Sequence, residues 1–163
     1  MSFERCMWCK GTFPRSDGPT HRYMASVPGC WATYGRVLAR EYEDRRLFDV
    51  HRLTVDAYAV QHPGQPSRQS IQSVGVHLVR LCLFLERGLT ADRANAAMLS
   101  AARYKAQYEW LEPPGSLGQI TVADVEQTAD ADSHKIAVRN WATQMWEVWS
   151  DHRAAVRAWA NMA

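Results

Sequence analysis

The chain has 163 residues, 47% apolar and 22% charged, with seven tryptophans. That length supports one domain burying about two thirds of the surface its unfolded chain exposes, and the composition excludes general disorder. Nineteen basic and 17 acidic side chains are interspersed to a net charge of +2, which excludes the basic stripe that nucleic acid requires. Neither an apolar h-region at the start nor a run of about 18 apolar residues is present, so no signal peptide and no membrane span is expected. The expected compartment is the cytoplasm. There Cys6, Cys9, Cys30 and Cys82 read as thiols or metal ligands rather than as a disulfide framework.

In chain order, "FERCMWCKGTF" and the Pro-, Gly- and Ser-rich "PRSDGPTH" make residues 1–28 an irregular segment, with a short helical turn at 20–25. Trp31, Tyr34, Val37, Leu38 and Tyr42 recur at spacings of three and four and predict a helix over 29–44. A second helix is expected over 47–61, stopped by Pro63 and Gly64. The third, capped by Ser67 or Ser70 and ending at Gly88, is apolar nearly all round except at Arg80, so it is expected to be the most buried. Thr90 caps a fourth over 91–108, and Thr121 opens a short fifth. From Ser133 to Met162 neither proline nor glycine intervenes. Val138, Trp141, Met145, Val148, His152, Ala155 and Trp159 form a heptad-like stripe along one long sixth helix. Trp146 falls off that stripe and is expected to pack on the N-terminal segment. The fold class is all-α: one domain over 1–163, an irregular bundle of about five to six helices (29–163) behind a small zinc-knuckle-like segment (1–28).

A redox C-x-x-C sits where a strand leads into a helix, whose N-terminal dipole lowers a thiol pKa. No strand is expected before Cys6. A knuckle turn, with both sulfurs on one side and Gly11 just beyond, suits "CMWCKG" better. Structural zinc takes four protein donors, and Cys30 is the third. If the first two helices form an antiparallel hairpin turning near Arg46 and Leu47, Cys30 lies level with His62. His21, in the loop between the cysteine elements, is the alternative fourth ligand.

His51, Asp56 and His77 can form a second polar site, joined by His134 or His152 and, in an enzyme, by Tyr58. A histidine on an apolar helix face is more often a core residue with one hydrogen bond. Cys82, inside "LVRLCLFLE", reads as a buried apolar side chain.

The blocks "CMWC", "GPTHRYM", "PGCW", "VHRLTVDAYAVQHPG" and "SVGVHLVRLCLFLERG", with the Trp-rich tail, resemble a bacterial family catalogued as a domain of unknown function. The resemblance covers nearly the whole chain and implies no reaction. It places the family's recurrent Cys and His elements at Cys6, Cys9, Cys30, His51 and His62. The leading expectation is a cytoplasmic, zinc-stabilised helical protein that acts as a binding or regulatory module on a protein or small-molecule partner, with neither nucleic acid nor membrane involved. The rivals are a metal- or His/Asp-dependent enzyme and a thiol redox sensor using Cys6 and Cys9.

Overall fold

The computed structural model describes residues 1–163. Its N-terminus corrects the expectation of an irregular segment. Strands β1 (Phe3–Arg5) and β2 (Thr12–Pro14) pair antiparallel, with Phe3 opposite Pro14 and Arg5 opposite Thr12. The "CMWCKG" turn brings the two strands together, and three residues each are too few to show a period of two in sequence. Phe13 alone of the six is buried. The helical turn expected at 20–25 is only a non-helical turn at 22–24.

Helix α1 (Pro28–Glu43) starts on a proline, whose missing N–H and fixed φ suit a first turn, yet Val27 before it offers no side-chain cap. Glu4 of β1 supplies one: its Oε1 accepts from Gly29 N–H at 2.6 Å. A Cβ at Gly29 would lie 2.2 Å from the Pro14 carbonyl oxygen, so the absence of a side chain there lets the hairpin sit on the start of α1. A 3-10 turn at Arg45–Leu47, capped by Asp44, reverses the chain into α2 (Phe48–Gln61).

Nine of the 14 residues of α2 are buried, against seven of 14 in α3 (Arg68–Leu81). The most buried helix is therefore the second, not the third. Helices α3 and α6 cover α2 on both sides, and it hides polar residues, Thr54, Asp56 and Gln61, that depress its apolar signal. Between α2 and α3 the chain turns at Gly64, with φ +71° and a position where a Cβ would stand 2.0 Å from the Tyr23 carbonyl oxygen.

Helix α3 is capped by Ser67 and runs into a π turn, Cys82–Glu86. Helix α4 (Ala91–Ala101), capped by Thr90, tightens into a 3-10 stretch, Ala102–Gln107. Capping boxes start α5 (Val122–Glu126) at Thr121/Asp124 and α6 (Ala131–Val148) at Asp130/Ser133. The single long helix expected over 133–162 is instead α6, a 3-10 turn at Ser150–His152, and α7 (Arg153–Ala160). Trp149 decides the break: its ring is buried and its indole N–H donates to the Val60 carbonyl at 3.1 Å, while Val148, His152 and Ala155 are only partly covered. Trp146 is buried beneath the Arg153 guanidinium, 5.1 Å from its ring centre.

The end of α2 is fixed from the far side of the core. Trp141 of α6 donates its indole N–H to Gln61 Oε1 at 3.2 Å, and Gln61 Nε2 donates to the carbonyls of Leu117 and Ile120 at 2.9 and 2.8 Å. Three polar groups thus share one buried amide, and each net hydrogen bond contributes about 1 kcal/mol.

Candidate metal centre

Each of the two features just described places one side of a four-residue cluster. Docking of the hairpin on α1 brings the C-x-x-C turn to Cys30 in the first turn of α1, and the anchored end of α2 brings His62. One ligand atom from each of Cys6, Cys9, Cys30 and His62 lies within 4.8 Å of all the others. All four residues are buried, at 0–3% exposure.

The turn is held by its own backbone. Cys6 N–H donates to Gly11 O at 2.9 Å and Lys10 N–H to Cys6 O at 3.1 Å. Lys10, rather than the glycine beside it, adopts the left-handed conformation, φ +61°. Its ammonium donates to Met7 O at 2.6 Å, and its carbonyl accepts from Arg5 Nε at 3.2 Å.

His62 is oriented by α2. Its Nδ1 lies 2.8 Å from the Tyr58 carbonyl oxygen, an acceptor only, so the ring proton sits on Nδ1. Nε2 is left with its lone pair 3.5 Å from Cys30 Sγ, the arrangement in which an imidazole is ready to ligate a metal. The Tyr58 ring stacks on His62 at 4.1 Å, and its hydroxyl lies 3.4 Å from Cys30 Sγ and donates to Ser26 Oγ at 2.9 Å. Burial pushes the Tyr58 phenol upward, so it stays protonated.

Three sulfurs this close do not ionise independently. Hydrogen bonds from Cys30 and then Cys9 hold Cys6 well below the ordinary thiol range. Contact with Cys6 and Cys9, with burial, pushes Cys30 far above it. Cys9 is drawn down by Cys30, but its contact with Cys6 and its burial outweigh this and raise it to about 12. Three buried thiols in contact cannot all ionise without a counter-charge, and a bound cation would relieve that conflict by taking all three as thiolates. A donor set of three sulfurs and one imidazole nitrogen matches tetrahedral zinc chemistry.

His21 takes no part in the cluster. Its Nδ1 accepts from the backbone N–H groups of Tyr23 and Met24, both at 3.3 Å, and its ring packs on Trp31 at 5.1 Å. Tyr58, grouped from sequence with an enzyme pocket, belongs to the surroundings of Cys30 and His62.

The residues His51, Asp56 and His77 fall into two centres. Asp56 is fully buried and accepts from His77 Nδ1 at 2.7 Å and from Arg80 Nε and Nη2 at 2.7–2.9 Å. His51 turns instead to Glu41, a fully buried carboxylate of α1, with Nδ1 3.1 Å from Oε1. Glu41 Oε2 accepts from Thr54 Oγ1 at 2.5 Å and from His134 Nε2 at 3.0 Å, while His134 Nδ1 accepts from Arg40 at 3.4 Å. His152 lies elsewhere, on the Glu112 carbonyl at 2.8 Å. Glu41 is the residue that sequence reasoning missed. It was detectable as a carboxylate in apolar register, four residues after Val37 and seven after Tyr34.

Cys82 is buried, its thiol raised to about 11 by desolvation and by Glu86, as suits a packed rather than a reactive thiol.

A family of unknown function (DUF5946) has a model that matches residues 4–150. No curated protein and no solved structure matches the chain.

Proposed function

Since the chain belongs to this family of unknown function, with all four clustered residues inside the matched span, we propose that it is a zinc-stabilised helical protein of the bacterial cytoplasm that works as a binding or regulatory module. The observation carrying the metal reading is the buried convergence of Cys6, Cys9, Cys30 and His62 within 4.8 Å. The donor set favours zinc, and Cys6, Cys9, Cys30 and His62 would hold it. Four protein donors close a tetrahedral shell and leave no position for a reactive water, which distinguishes structural from catalytic zinc. The work of such a metal is to tie the β1–β2 hairpin to α1 and the end of α2. Four free cysteines suit a reducing compartment.

Metal analysis of protein purified without added metal tests this reading, with about one zinc per chain expected. Cys9→Ser and His62→Ala should each lose it, whereas His21→Ala should keep it. Metal well below one equivalent in the unmutated chain, or full retention in His62→Ala, would overturn it.

A further inference from the structure

A cavity of about 890 Å3 lies away from the metal cluster, at the end of the molecule where α1 turns into α2 and α4 begins. Tyr42 and Phe48, 66% and 50% exposed, stand at its rim, and His51 and Arg80 are among its walls. Large apolar side chains left in water beside a cavity favour a ligand with a flat or apolar body.

The polar groups of this cavity are supported from behind. A carboxylate can only accept, so His51 donates Nδ1–H to Glu41 and turns an Nε2 lone pair outward. Nε2 has no partner within the protein, a fifth of the side chain is exposed, and the ring rests on Tyr42 at 4.6 Å. Glu41 is itself fixed by Thr54 and His134. A buried acid orienting an imidazole whose far nitrogen faces a cavity is the geometry of a general base.

Arg80, its charge shared with buried Asp56, supplies hydrogen-bond donors. Of its five N–H bonds, Asp56 engages Nε and one on Nη2, and Asn95 one on Nη1 at 2.7 Å. Two remain, on a side chain 9% exposed whose residue lines the cavity. The first turn of α4, Thr90 to Asp92, borders the same space, with Thr90 Oγ1 capping Arg93 N–H at 3.4 Å. The two acids of the wall are already matched: Asp49 by Lys135 and Arg139 at 3.3 and 3.2 Å, and Asp92 by Arg52 at 3.2 Å.

We propose that this cavity binds a small organic anion that carries a proton donor, the anion against Arg80 and the donor against His51. Where the donor is acidic enough, its X–H bond breaks, the electron pair stays on X and the proton forms the Nε2–H bond. The imidazolium charge then faces Glu41 through Nδ1–H. The proposal is independent of the zinc reading, and metal content measured on the same samples separates the failure of one from the failure of the other.

The test is side-chain NMR on the nitrogen-15-labelled metal-replete protein, titrated with 4-hydroxybenzoate, benzyl alcohol or inorganic phosphate. Saturable movement of the His51 Nε2 and Arg80 Nη signals is expected with 4-hydroxybenzoate, about tenfold tighter than with benzyl alcohol, a difference of about 1.4 kcal/mol. Tyr42→Ala and Phe48→Ala remove exposed rings and leave the fold intact, and each should weaken binding severalfold. Ile136→Ala, an exposed residue outside the cavity lining, should not. No saturable shift at His51 and Arg80 with either anion overturns the proposal. So does binding of phosphate alone, or 4-hydroxybenzoate binding that both rim variants leave unchanged.

Discussion

A single buried amide, Gln61, satisfies an indole and two carbonyls. Replacing it with leucine preserves volume and strands all three groups. Gln61→Leu should therefore cost about 3 kcal/mol, since each orphaned buried group costs about 1–3 kcal/mol and partial relaxation recovers some. In a chain of this size that lowers Tm by roughly 6–12 °C, readable by calorimetry. Cys82 gives a second prediction at this scale. With its thiol raised to about 11 by burial and by Glu86, it should resist a thiol reagent at pH 8 in the folded protein and react fully once denatured. Fast labelling of the folded, unmutated protein at Cys82, found by peptide mapping, would show that the pocket around it is open. Sequence already distinguished these residues unevenly. Cys82 was legible because Leu81, Leu83, Phe84 and Leu85 flank it, whereas Gln61 was not, because its partners lie far along the chain, and Glu41 showed only an apolar register.

At the scale of elements, the hairpin and α1 are held together by few contacts, so they can be separated by small changes. Glu4→Ala removes the acceptor for Gly29 N–H without touching a proposed ligand. An N-cap lost in this way costs about 1 kcal/mol, and amide exchange over residues 3–14 should quicken severalfold while that of α6 is unchanged. Gly64→Ala is harsher, because it meets both a positive φ and the Tyr23 carbonyl, and should give less folded protein or a Tm lowered by ~5 °C or more. The Glu86–Arg157 pair ties the π turn after α3 to α7, with Arg157 Nε at 2.9 Å from Oε2. Arg157 holds the Glu86 carboxyl down to about 2, from an ordinary 4.5. A carboxylate depressed on folding contributes its stability above pH 4.5 and loses it as pH falls toward 2. Arg157→Ala should return the Glu86 titration, followed by NMR, to near 4.5 and flatten the acid limb of stability between those values.

Elements were legible where a period met a cap or a stop, as in α3 behind Ser67 and α2 ahead of Pro63 and Gly64. They were misjudged where tertiary packing overrode local pattern, as when Trp149 broke the last helix although no proline or glycine marks the place. The β1–β2 pairing was invisible because its strands are shorter than any period they could display.

For the molecule as a whole, the legible part of the candidate site was its topology. Equal distances from the Arg46 turn put Cys30 and His62 at one level before any contact was known. What could not be read was how the histidines divide: His51 and His77 sit on adjacent helices, yet each is claimed by a different buried acid, Glu41 from α1 and Asp56 from α2. If the cluster holds zinc, chelation should raise exchange first in residues 1–30 and at the end of α2, with the Trp141–Trp149 region the last to open. Uniform acceleration across all helices would mean that the metal supports the entire fold rather than one end of it.

Gln61 and His62 are consecutive, the first gripped by the core and the second turned toward three sulfurs. Linkage between them must run both ways. If the cluster is loaded, freeing the His62 ligand requires the end of α2 to move, so that step of metal release reports on how firmly Trp141 and Trp149 hold it. Timing metal transfer to a chromogenic chelator would then record a motion that occurs on the opposite side of the helix, and Gln61→Leu should make that step faster without altering a single ligand.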